Sequence, residues 1–218
     1  MSRTTPLCLG LLAGLLLTGC ASQTTQPSQY SGFLADYSEL KPASSASGAP
    51  VLRWVSPDYK ATDYVSVYVE KPVFYPAPKP SDQVSQATLE QITDYLQQAI
   101  ERELSQRMQV VDTPTRDSLV LRSAITGVDS SAEGLKVYEV IPIALVAAAA
   151  STAAGTRDRD TNIYVELEAV NAENNQPMVR VVRKGHGLQL ENDSSQLTLE
   201  DLKPALDTWA KDARSFKP

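Results

Sequence analysis

Three places in this 218-residue chain put reactive side chains in patterns that chemistry could use. The first is Leu17-Thr18-Gly19-Cys20. Small side chains at Thr18 and Gly19 let a peptidase reach the bond in front of Cys20, and a thiol can be diacylated by thioether formation. This is the pattern of a bacterial lipobox, and it predicts Cys20 as a lipidation site. The second is the pair Glu166 and Glu168, alternating with Val165, Leu167 and Ala169. Both acids then point to one face of a strand. Paired carboxylates cleave glycosidic bonds when they flank one. Residues two apart on a strand are separated by about 7 Å, so an envelope hydrolase using Glu166 and Glu168 is one reading. The simpler reading is a solvated face. Across a hairpin that turns at Asn174-Asn175, Glu166 would meet Arg183 or Lys184, and such exposed pairs contribute roughly 0.2–1 kcal/mol. On that expectation Glu166 is exposed and ion-paired. The third place is His186, the one histidine, between Gly185 and Gly187. Its imidazole titrates near neutrality, but a catalytic role needs a serine beside it and a carboxylate behind it. No Gly-x-Ser-x-Gly elbow precedes it, and it reads as a turn residue. No catalytic residue is therefore assigned.

Composition removes other classes. Two cysteines and one histidine leave neither a Cys/His zinc site nor a disulfide framework within the chain. A net charge of −6 argues against a sequence-independent grip on nucleic acid, which needs clustered Lys and Arg. With 42% apolar and 21% charged residues the chain is neither wholly disordered nor an integral membrane protein. No phosphate-cradling glycine loop and no metal-ligand cluster is present in the pattern, so neither a cofactor nor a metal is expected.

The segment in front of Cys20 supports the lipobox. Arg3 gives a positive start, and Leu7 to Leu17 is a run of apolar residues and glycine. That run is too short to span a bilayer, which takes about 20 residues, and has the layout of a secretory signal peptide. Residues 1–19 are expected to leave, taking Cys8 with them. The remaining chain is expected to hold the membrane through acyl chains such as palmitate on Cys20, each buried CH₂ contributing about 0.8 kcal/mol. Residues 20–29 then form the lipidated cysteine and a solvated tether, and residues 30–218 a single periplasmic domain. By resemblance to sorted lipoproteins, an Asp after the cysteine would favour inner-membrane retention. Ala21 stands there instead, so an outer-membrane anchor in a Gram-negative bacterium is expected.

Beyond the tether, Tyr30-Ser31-Gly32-Phe33-Leu34, Asp36-Tyr37-Ser38 and Leu40 resemble the opening of an uncharacterised family of bacterial lipoproteins, a domain of unknown function. The resemblance continues in Arg122 to Val128, around Pro142, in Glu166-Leu167-Glu168 and in Pro204 to Trp209. It implies a lipoprotein and no particular activity.

The elements that must position these residues follow from periodicity. Val65, Val67 and Val69 alternate with polar neighbours, as in a half-buried strand. Pro72, Pro76, Pro78 and Pro80 oppose regular structure after it. Leu89, Ile92, Leu96, Ile100 and Leu104 mark one face of a helix over about 84–108. Residues 118–128 read as a strand, and 161–172 with 178–184 as a hairpin. Thr198 can cap a last helix carrying Leu202, Leu206, Trp209, Ala213 and Phe216, although Pro204 predicts a start near Lys203. Residues 41–50 read as loop. The order β-α-β-β-β-α predicts an α+β fold, a mostly antiparallel sheet covered by two helices. Nine aromatics between Tyr30 and Tyr75 could form a binding groove, but are expected to staple the tether end and first strand to the core. The alanine-rich stretch 140–155 reads as a short buried helix. The leading functional reading is a non-catalytic binding or scaffold protein whose partner is an envelope protein or the cell wall. A carrier of an apolar ligand is a further reading, and it requires a deep pocket.

Overall fold

The computed structural model describes residues 24–78, 84–132, 159–188 and 196–218, with backbone pairing alone at 129–132 and 159–160. The lipobox with Cys20, the signal segment 1–19 and the alanine-rich stretch 140–155 lie outside the described residues. In chain order the elements are β1 (Lys41–Ser44), β2 (Pro50–Val55), β3 (Ser66–Val69), β4 (Val73–Phe74), α1 (Gln86–Leu104), β5 (Gln109–Val110), β6 (Ser118–Ala132), β7 (Arg159–Asn171), β8 (Pro177–His186) and α2 (Leu199–Arg214). One sheet runs in the order β1-β2-β8-β7-β6-β3-β5, with β4 also paired to β6. Its long central pairs, β6–β7, β7–β8 and β2–β8, are antiparallel. The short strands β3, β4 and β5 pair in parallel. Among the described residues the fold is α+β, two helices on a mostly antiparallel mixed sheet.

The helices form where the apolar stripes fall. Ser85 caps α1, its Oγ accepting from the Thr88 amide at 3.0 Å. Leu89, Ile92, Leu96, Ile100 and Leu104 are all buried, the stripe now pressed onto the sheet. In α2 the Thr198 N–H and Oγ1 each donate to Asp201 Oδ2 at 2.7 Å. With Glu200 and Asp201 in its first turn, this capping box starts the helix at Leu199 rather than near Lys203. Pro204 removes one early backbone bond and is tolerated inside the helix.

The two faces of the sheet are covered differently. One packs against α1 and α2 in the main core, with Ile125, Ile163, Leu202 and Leu206 fully buried. The other carries Leu52 and Val182, and residues 30–40 lie across them with Leu34 buried at the centre. Tyr30 and Tyr37 stack there at 4.4 Å, so these aromatics do staple the tether end. Tyr59 and Tyr64 instead pack under the helix layer. Ahead of Tyr30, Thr25 is buried and Pro27–Gln29 form a 3-10 turn.

Residues 41–50 depart from their reading as loop, since Lys41–Ser44 pairs antiparallel with Pro50–Val55. β1 is an edge strand, where Pro42 costs no internal hydrogen bond. The glycines around His186 also find a reason. A Cβ on Gly187 would lie 2.4 Å from the Asp201 carbonyl oxygen, and one on Gly185 2.8 Å from the Trp209 ring. They let α2 settle onto the end of β8, while His186 itself is exposed.

Candidate functional site

Strand β7 brings Glu166 and Glu168 to the sheet face away from the helices, but the hairpin register differs from the expectation. Glu166 lies opposite Val182, and Glu168 opposite Arg180. Two local features shift it. The chain turns through 172–175, with the Asn171 amide donating to the Gln176 carbonyl. Val170 then pairs with Pro177 and Ala169 with Val179, which leaves Met178 as an extra residue. A one-residue shift sends every side chain of a strand to the opposite face. Arg183 therefore points away from the two acids.

Glu166 is neither exposed nor paired with a base: it is 0% exposed. Its Oε1 accepts from the Ser31 amide at 2.8 Å. Its Oε2 accepts from the Tyr37 hydroxyl at 2.5 Å and the Leu34 amide at 3.4 Å. Burial, then the hydrogen bond to Glu166 and its negative charge, push the Tyr37 phenol up to about 12, so it donates at neutral pH. Glu168 carries the cross-strand ion pair instead, at 2.9 Å from Arg180 Nε. Arg180 also reaches Asp36 at 3.5 Å and lies over the Trp54 ring. Both acids thus bind the N-terminal segment and its neighbours to the sheet, and neither lines the cavity on the helix side.

That cavity is a feature the sequence does not display. It has a volume of about 600 Å³ and lies between the sheet and the two helices, within the roughly 300–1,000 Å³ of ligand pockets. Leu119 and Leu121 of β6, Val165 and Leu167 of β7 and Val179 and Val181 of β8 form its floor. Leu96, Ile100, Trp209 and Ala213 come from the helices, and Tyr59, Tyr64 and Phe216 stand at its margin. Leu167 and Val181 sit on central strands, facing the helix layer, yet are only partly buried. The helices leave a gap over them.

Two charged groups enter this apolar space. Arg183 Nη1 lies 2.8 Å from Asp212 Oδ2, each side chain 8% exposed. Asp212 Oδ1 also accepts from the Ser47 amide at 2.6 Å, and the Arg183 guanidinium lies 5.6 Å from the Trp209 ring centre. Burial pushes the Asp212 carboxyl up, but hydrogen bonds from Arg183, Ser45 and Ser47, with the Arg183 charge, outweigh it and hold the group below the usual carboxylate range. Burial lowers the Arg183 pKa, and Asp212 offsets part of that. A signal for both was present. Arg183 shares the phase of Val179 and Val181 in β8, and Asp212 falls three residues after Trp209 on the apolar stripe of α2. Charges placed on buried faces are what a strict reading of alternation flags.

Among the described residues no group of His, Cys, Asp and Glu side chains could hold a metal ion, and no helix is long and apolar enough to cross a membrane.

A family model described as "Protein of unknown function (DUF3313)" matches residues 29–213. The chain is 47% identical over 206 residues to the "Uncharacterized lipoprotein YdcL" of Escherichia coli K12, covering 94% of this chain and 93% of that protein. The O157:H7 counterpart matches equally. Among solved structures, the PelC dodecamer from Paraburkholderia phytofirmans aligns with TM-score 0.38 and 7% identity over 75% of this chain and 95% of that one. Protein XCC0632 of Xanthomonas campestris aligns with TM-score 0.39 and 12% identity over 72% and 86%. On the match over 29–213 and on its lipoprotein relatives, the chain belongs to the DUF3313 family.

Proposed function

We propose that this protein is a lipid-anchored, non-catalytic binding protein of the bacterial envelope that holds an apolar ligand in the cavity between its sheet and helices. The observation that carries the reading is the cavity itself: about 600 Å³, floored by apolar strand residues and left open by the helices. Leu17-Thr18-Gly19-Cys20 supports the anchor, as does the lipoprotein description of the 47% identical relatives. Ala21 after the cysteine supports the outer membrane, with the domain in the periplasm. No catalytic role is proposed for Glu166 or Glu168. The first has its oxygens filled by Ser31, Leu34 and Tyr37, and the second is paired with Arg180.

The binding reading is tested on the lipidated protein in bilayer nanodiscs with a photoreactive hexadecanol. Labelled peptides are expected to come from β7, β8 and the end of α2. Labelling confined to the lipid-facing N-terminus would sink the reading.

The anchor has its own test. Cys20→Ser is expected to move the protein from the membrane fraction wholly to the soluble fraction after a high-salt wash. A variant that still sediments with membranes would show that the acyl chains on Cys20 are not what holds it.

A further inference from the structure

We propose that the cavity takes a single-chain anionic amphiphile, its acyl chain along the apolar floor and its head group among Arg183 and the rim cations Arg53, Arg107 and Lys217. The inference rests on the binding reading above and specifies its ligand. Three observations carry it.

The first is an unsatisfied donor. Arg183 lines the cavity with its side chain 8% exposed. Nη1 is engaged by Asp212 at 2.8 Å, but Nε is buried without a hydrogen-bond partner. Buried guanidinium donors are ordinarily all paired, because a lost hydrogen bond to water is not replaced by apolar contact. An acceptor oxygen brought by a ligand would fill that place once the guanidinium turns to present Nε to the cavity. A plain hydrocarbon would leave it empty.

The second is the charge of the lining. Asp212 neutralises Arg183, which leaves Arg53, Arg107 and Lys217 as a positive rim, and Asp212 is the sole acid among the described lining residues. The arginines are held in place. Arg53 Nη1 donates to the Lys217 carbonyl at 3.2 Å, and Arg107 Nη1 to the Arg214 and Phe216 carbonyls at 3.0 and 2.6 Å. Backbone carbonyls orient these cations without cancelling their charge. Next to apolar walls such a rim attracts an anion more strongly than it would in open water.

The third is shape. Charge and the orphaned donor lie at the end where α2 meets the C-terminal residues 215–217, while the floor below them is aliphatic. A volume of about 600 Å³ accommodates one acyl chain, not the two chains and head of a diacyl phospholipid. One apolar chain with one anionic end matches both parts of the site. A free fatty acid and a lysophospholipid share that chemistry.

The test uses the lipidated protein in nanodiscs and the photoreactive hexadecanol probe, with each competitor titrated as a mole fraction of the bilayer. Palmitate, lysophosphatidylglycerol or both are expected to displace the label from the cavity peptides at a concentration at least tenfold lower than hexadecanol. An advantage for palmitate alone assigns a carboxylate head, and one for lysophosphatidylglycerol alone a phosphate head. In the Arg107→Gln/Lys217→Gln double variant, both positions being exposed, the advantage is expected to fall to threefold or less. Arg183→Met is expected to reduce it further where the variant folds. Equal competition by hexadecanol, or an advantage undiminished in the rim variant, overturns the proposed head-group site and leaves the binding reading standing. Absence of label from the cavity peptides overturns both.

Discussion

Replacing Glu166 with alanine detaches residues 30–37 from the sheet and lowers stability by about 3 kcal/mol, a figure that follows from the hydrogen bonds and burial lost together. The Glu166 carboxylate is fully buried and accepts from two backbone amides and one phenol, all contributed by this segment. Hydrogen bonds to a charged group contribute about 1.5–3 kcal/mol each, but a detached segment recovers part of that by rehydrating its N–H groups. What it does not recover is the burial of Leu34 against Leu52 and Val182. Amide exchange at Ser31 and Leu34 is expected to rise to near-unprotected rates, and the urea midpoint to fall. Tyr37→Phe removes one bond and keeps the carboxylate, so a loss of about 1 kcal/mol with the segment still docked is expected. Tyr37 also fixes a pH dependence. Its phenol is pushed up to about 12, against about 10 in an unfolded chain. The folded state therefore holds this proton more tightly, and the associated stability is present below pH 10 and lost between about 10 and 12. Tyr37→Phe is expected to lack that decline. Protected Ser31 and Leu34 amides in Glu166→Ala would show that Glu166 does not hold the segment.

The contrast between the two acids and the two helices explains what the sequence displays. The stripes of α1 and α2 are local patterns, set by 3.6-residue periodicity, and both helices form with those faces buried. Glu166 is buried by residues about 130 positions earlier, which alternation in β7 does not encode. The hairpin register depends on a four-residue turn and one bulged residue. Asn174-Asn175 marks the place of the turn but not its length, and a difference of one residue exchanged the faces of Arg183 and Arg180. β1 is hidden by Pro42 and by Pro50 across from it, residues that oppose strands in sheet centres; Pro42 is tolerated on the edge strand and Pro50 as the first residue of β2. The cavity is the least legible feature. Its walls are ordinary core residues, and among the described residues it exists because α1 and α2 fall short of covering an eight-stranded sheet.

Asp212→Ala is expected to cost about 3–5 kcal/mol, the loss that follows when one partner of a buried ion pair is removed and the other left uncompensated. Asp212 joins three parts of the fold: α2, Arg183 of β8, and the β1–β2 turn through the Ser47 amide and hydroxyl at 2.6 and 2.9 Å. The Arg183 charge would face an apolar cavity with no anion beside it. The double variant Asp212→Leu/Arg183→Met removes both charges at similar volume and is expected to cost about 1–2 kcal/mol, less than the single variant, since apolar replacements of buried pairs are often neutral while Ser47 still loses its acceptor. The difference between single and double variants measures the coupling. The pair also sets the acid limb. The Asp212 carboxyl is held below the usual carboxylate range, so the folded state binds its proton less readily than an unfolded chain, where the value is about 3.9. Its contribution is present above that value and is lost as the pH falls through the lower folded one. Denaturation midpoints below pH 4 are therefore expected to decline less steeply in the double variant than in the parent. A single variant as stable as the parent would mean that water entering the cavity solvates Arg183 as well as Asp212 does.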